Sequence, residues 1–121
     1  MQARPRNVEV YVEPSGAVPF DDWMAKLKDI IGRAAIDTRI GLLRRGSLGK
    51  KYEDIGDGLI ELKVDTGPGY RIYLADDGSN SLLLCALRGR TLRTLKNIGQ
   101  ITKRKGDKSH AIVKAIQDRT R

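Results

Sequence analysis

Val8, Val10 and Val12 alternate with Glu9, Tyr11 and Glu13, the period of a half-buried strand. Pro14-Ser15-Gly16 ends it. Pro19 and the acidic pair Asp21-Asp22 suit a helix start, with negative charge at the positive end of the helix dipole. Trp23, Leu27, Ile30 and Ile31 then form one apolar face, and Ile36, Ile40 and Leu43 repeat the spacing. The pattern predicts two helices, or one bent helix, over about residues 20–45, with a break near Gly32 and a stop at Gly46-Ser47-Leu48-Gly49. Beyond this the period becomes strand-like. Residues 51–55 read as a short strand or extended loop. Leu59–Val64 reads as a strand, with Leu62 and Val64 on one face and Glu61 and Lys63 on the other. Gly67-Pro68-Gly69 predicts a tight turn, because glycine reaches positive φ and proline fixes its own. Strands over Tyr70–Ala75 and Ser81–Leu87 follow, joined by a polar hairpin loop at residues 76–80.

The order predicts an α+β fold: an N-terminal strand, a helical hairpin on one sheet face, an antiparallel meander and a C-terminal helix. At 121 residues the chain has room for one core, and a single domain over residues 1–121 is expected. No run of about 18 apolar residues is present, so a membrane-spanning helix is excluded. Residues 1–6 lack the apolar run of a signal peptide. Cys85 is the single cysteine, which rules out an internal disulfide and suits a reducing cytoplasm. One cysteine and one histidine, His110, argue against a structural zinc site, and no nucleotide-binding glycine spacing is found.

Charge is distributed unevenly. Residues 1–85 carry 12 Lys/Arg and 13 Asp/Glu, a net of −1; residues 86–121 carry 11 and 2, a net of +9. Residues 86–105 hold seven Lys/Arg and no acid, and Leu92, Leu95, Ile98 and Ile101 recur there every three residues. That spacing predicts a basic amphipathic helix, and the asymmetry points to a polyanionic partner, nucleic acid or an acidic protein. A solvated basic tail is the bland alternative.

Alternation also locates a candidate site. Arg71 and Tyr73 share one strand face while Tyr70, Ile72 and Leu74 share the other. If Lys63 and Arg71 stand on the same sheet face, two cations and neighbouring hydroxyl or carboxylate groups line one surface able to neutralise phosphates.

The run Gly67-Pro68-Gly69-Tyr70-Arg71-Ile72-Tyr73 is preceded by Asp57-Gly58-Leu59-Ile60-Glu61-Leu62-Lys63-Val64. It is followed by Leu82-Leu83-Leu84-Cys85, and then by Lys105-Gly106-Asp107-Lys108-Ser109. In this order the chain resembles the RelE/ParE superfamily of toxin–antitoxin toxins, and most of all its phage-derived, HigB-like branch, the addiction module killer proteins. The resemblance covers roughly residues 7–85 and 105–118. It departs at 86–105, where the resembled proteins pass almost directly into the Gly-Asp-Lys motif.

The resemblance implies a metal-independent, cofactor-free, ribosome-dependent mRNA endonuclease (an mRNA interferase). In such enzymes the ribose 2′-OH attacks the adjacent phosphorus. It implies transition-state charge stabilisation by Arg71, a phosphate contact or base at Lys63, and a second phosphate contact at Lys108. His110 is a further candidate acid. Tyr70, Tyr73, Arg88, Arg90, Arg93, Lys103, Arg104 and Lys105 are the candidate RNA-binding residues. A cognate antitoxin of helix-turn-helix type is the implied partner, with operator DNA bound by the complex, mRNA on the ribosome as substrate, and no membrane.

Alternatives stand beside these readings. Arg71 can pair with Glu61 or Asp65 across a hairpin, Lys63 can be an ordinary solvated lysine, and His110 can be structural. Trp23 and Cys85 read as core residues. At the level of function, the same fold carries ParE-type poisons of DNA gyrase, and the insertion also fits a basic RNA-binding remnant without activity.

Overall fold

The computed structural model describes residues 4–13, 15–56 and 58–88. The elements are β1 (Asn7–Val10), α1 (Pro19–Lys26), α2 (Ile30–Arg44), β2 (Tyr52–Gly56), β3 (Leu59–Val64), β4 (Tyr70–Asp76) and β5 (Asn80–Arg88). The strands form a five-stranded mixed sheet in the order β1-β5-β4-β3-β2. β1 lies parallel to β5 at one edge, and the other pairings are antiparallel. The α+β architecture expected from the pattern is therefore present. The predicted C-terminal helix and basic amphipathic segment lie outside the described residues from position 89 on. Among the described residues no helix is long and apolar enough to cross a membrane.

Each helix shows its end signals. Pro19 opens α1 with Asp21 and Asp22 in the first turn and Lys26 in the last. The helix stops where Leu27 turns extended, and the Arg33 guanidinium donates to the Met24 and Leu27 carbonyls left there. Asp29 caps α2, accepting from the Gly32 amide at 3.0 Å. The other end of α2 is a Schellman motif: Ser47 N–H bonds Leu42 O at 3.1 Å and Gly46 N–H bonds Leu43 O at 2.9 Å, with Gly46 at φ +101°.

The helix break thus falls at residues 27–29, ahead of the expected position near Gly32. Gly32 instead lies in the first turn of α2, where a Cβ would come within 2.6 Å of both Asp29 Oδ2 and Tyr70 Cε2. A side chain at this position would collide with the cap and with β4. The non-helical residues 27–29 also shift the phase of the apolar stripe. Ile30 and Ile31, expected on its buried face, are consequently 81% and 73% exposed.

Two apolar clusters flank the sheet. Phe20, Ile36, Ile40 and Leu43 from the helices pack with Ile60, Leu62, Val64, Tyr70, Ile72, Leu74, Leu83 and Ala86. On the opposite face Tyr11, Tyr73, Ala75, Leu82 and Leu84 form the second cluster, with Cys85 half-buried beside it. The consecutive run at 82–85 is sorted by a bulge: Tyr73 faces Cys85 while Leu74 faces Leu83, so Leu84 and Cys85 both serve the second face. Val12, expected to continue the β1 alternation, is exposed because β1 ends at Val10 and Tyr11 enters the second cluster instead. A shielded ion pair joins the residue before β1 to β4: Arg6 Nε meets Asp76 Oδ1 at 2.9 Å, and Ser81 Oγ donates to the same carboxylate at 2.7 Å.

Candidate functional site

The antiparallel register of β3 and β4 sets Lys63 directly opposite Arg71 and Glu61 opposite Tyr73. Glu53 of β2 stands opposite Glu61 in turn. These residues share the sheet face turned away from α1 and α2, as the side-chain alternation required. The Thr66 to Gly69 turn holds β3 and β4 in this register. Its Gly69 N–H bonds Thr66 O at 3.1 Å, with Gly67 at φ +58° and Gly69 at φ +84°.

The electrostatics of the face are tightly balanced. Glu61 is fully buried, and Tyr73 donates to its Oε2 at 2.8 Å. Glu61 Oε1 lies 3.9 Å from Arg71 Nε, and Asp65 Oδ1 lies 3.8 Å from Arg71 Nη1. Both distances are long for a bidentate pair, so Arg71 is held between two carboxylates without being locked to either. Its side chain remains 25% exposed. Lys63 Nζ is 3.6 Å from Glu53 Oε2. Lys51 bonds Asp65 at 2.6 Å; that bond and the Lys51 charge, with lesser help from Arg71 and Lys63, hold the Asp65 carboxyl below the usual carboxylate range.

Face to face, Lys63 and Arg71 supply two cations to one anionic group, while Glu61 and Tyr73 form the polar backing of Arg71. Such a pair suits a phosphate carrying developing charge. The sequence offers Glu61 only as a possible ion-pair partner of Arg71 across the hairpin, and the structure sets it 3.9 Å from Arg71 Nε. Its full burial is what turns it into an anchor, and burial depends on the neighbouring strands.

Tyr70 and Tyr73, named above as candidate RNA-binding residues, present no exposed ring to an RNA base. Both are buried, Tyr73 in the second cluster and Tyr70 beneath the helices. Tyr70 donates to Asp29 Oδ2 at 2.6 Å and meets Trp23 edge-on at 5.7 Å between centroids. That hydrogen bond raises the Tyr70 pKa, with burial adding to the effect, and together with the Gly32 amide it lowers that of Asp29. Trp23, read as a core residue, packs against the core cluster and is partly buried. With Asp29, Tyr70, Lys28 and the exposed Arg88 it lines a cleft of about 480 Å³ on the helix side. Arg88, opposite Tyr70 in the β4–β5 register, therefore belongs to the helix side and not to the face of Lys63 and Arg71. Lys108, His110, Arg90, Arg93, Lys103, Arg104 and Lys105 lie outside the described residues. The Cys85 thiol is pushed up to about 12 by burial.

Fold and site together define a small α+β protein with two helices on one face of a mixed sheet and a row of opposed charges on the other. The chain is 42% identical over 67 residues to an uncharacterized protein of Haemophilus influenzae. The match spans 54% of this chain and 67% of the relative, and the chain belongs to the family of that Haemophilus protein. No protein-family profile and no solved structure matches it.

Proposed function

We propose that this protein is the toxin of a toxin–antitoxin pair, of the RelE/ParE superfamily and its HigB-like branch, and that it blocks translation by cutting mRNA on the ribosome. The observation that carries the reading is the placement of Lys63 directly opposite Arg71 on one sheet face, following the Gly-Pro-Gly turn. In the proposed reaction the ribose 2′-oxygen bonds to the adjacent phosphorus and the bond to the 5′-oxygen breaks. The products are a 2′,3′-cyclic phosphate and a free 5′-OH. The 2′-OH proton passes to a base, for which Lys63 is the candidate, and the departing 5′-oxygen takes up a proton, with His110 as candidate donor. Arg71 stabilises the charge of the phosphorane, and Lys108 adds a phosphate contact. The ribosome orients the RNA, which relieves this small domain of that task. An antitoxin neutralises the toxin.

The test is a cell-free translation reaction with mRNA 5′ ends mapped in the presence and absence of ribosomes. Cuts on translating ribosomes that disappear with Arg71→Ala are expected.

One observation favours a second reading, the ParE-type gyrase poison. Glu61 and Asp65 both approach Arg71 and offset its charge, an arrangement that a purely structural arginine also satisfies. That reading expects no RNA cleavage and indifference to Lys63→Gln.

A further inference from the structure

Another concentration of positive charge lies where α2, the 47–51 loop and β3 meet. A cleft of about 590 Å³ there is lined by Arg39, Ser47, Gly49, Lys50, Lys51 and Lys63, with Leu42 as its apolar contribution. Four of these residues are cations and none is an acid. The sequence gives little warning of the grouping, because Arg39 is a dozen positions from Lys51 and reaches it only after the Schellman turn reverses the chain.

The arginine is fixed in place. Its Nη2 donates to the Lys51 carbonyl at 2.6 Å. Gly49, at φ +74°, lies so close that a Cβ would come within 1.7 Å of Nη1. Any other residue at position 49 would displace the guanidinium. Partial desolvation lowers the Arg39 pKa from the ordinary guanidinium range. Lys51 and Lys63 have the acidic neighbours Asp65 and Glu53. Arg39 and Lys50 have no ion pair among the described residues. A guanidinium and an ammonium without ion-pair partners, lining one cleft, suit a phosphate.

Lys63 joins this cleft to the candidate site, since it lines the cleft and also stands opposite Arg71. We infer that the cleft binds the phosphodiester backbone of single-stranded RNA next to the segment held at Lys63 and Arg71. The inference rests on the RNA-cleaving reading and adds a course for the strand: from the sheet face away from the helices, around Lys63, to the helix side at Lys50 and Arg39. Phosphate contacts of this kind carry affinity and register and not sequence preference.

The test is fluorescence anisotropy of a short labelled single-stranded RNA against the full chain, titrated with salt in the absence of ribosomes. For single strands the slope of log K against log salt is about −0.7 per neutralised phosphate. Arg39→Gln/Lys50→Gln should therefore make the slope shallower by about 1.4, and the exposed Lys50→Gln alone by about 0.7. Arg44→Gln/Arg45→Gln, which removes equal charge outside the cleft, should leave it unchanged. Equal slopes for wild type and both cleft variants, or an equal loss in the Arg44/Arg45 control, overturn the inference. Ribosomal cuts with no cleft-dependent slope sink this inference alone. A cleft-dependent slope without ribosomal cuts sinks the endonuclease reading and leaves the cleft an RNA-backbone site.

Discussion

Tyr73 donates its hydroxyl proton to buried Glu61 at 2.8 Å, and the other oxygen of that carboxylate lies 3.9 Å from Arg71 Nε. Glu61 is thus a positioning residue for Arg71. Glu61→Gln keeps the shape and an acceptor for Tyr73 while removing the charge beside the guanidinium. Translation inhibition should fall, but by less than in Arg71→Ala, for which a loss on the order of 10²–10³-fold is expected if the arginine stabilises the phosphorane. Arg71→Lys should not restore activity, because a point charge lacks the planar fork. Dose–response curves in cell-free translation check all three, with circular dichroism to verify folding.

The Arg6–Asp76 pair makes a separate prediction about stability. Their side chains are only 10% and 8% exposed, and Arg6 also donates to the Gly46 carbonyl at the end of α2. Arg6→Ala leaves Asp76 shielded and short of its counter-charge. A loss of about 3–5 kcal/mol is expected in urea unfolding.

At the start of α2, stability should depend on pH through Asp29. Hydrogen bonds from Tyr70 and the Gly32 amide hold its carboxyl below 3.8 in the folded chain. A depressed folded value means that the contribution is complete above the unfolded value and is lost as pH falls through the folded one. The stability difference between wild type and Asp29→Asn should be constant over roughly pH 5–8 and shrink below about pH 4. A difference that grew on acidification would contradict the assignment. Gly32→Ala should destabilise at every pH, by about 1–3 kcal/mol, through overpacking against Asp29 and Tyr70.

Cys85 gives a chemical check on the second apolar cluster. With its thiol at about 12, the reactive thiolate is scarce at neutral pH. Alkylation should be slow in the folded protein and fast in urea; equal rates would mean that the face is open.

Local signals carried the elements. The two glycines around Pro68, the acids after Pro19 and the period-two runs at 59–64 and 70–75 placed helices and strands within a few residues. The same alternation put Lys63 and Arg71 on one face. What failed needed information from elsewhere in the chain. Gly32 looked like a break because a lone glycine usually weakens a helix, whereas its role is to admit Tyr70 from a strand far along the sequence. Ile30 and Ile31 lost the helical phase once Asp29 became the cap. Tyr70 and Tyr73 are RNA-binding candidates in the sequence and buried in the structure, because alternation assigns a face and cannot report what covers it. The bulge at Leu84 defeats strict alternation altogether.

The account is tested most directly by mapping mRNA 5′ ends in a translating extract with the wild-type protein, Arg71→Ala and Lys63→Gln. It predicts new 5′-hydroxyl ends within translated codons, dependent on ribosomes and lost or strongly reduced in both variants. Inhibited growth in cells with no new mRNA ends, or cuts that persist undiminished in Arg71→Ala, would contradict it.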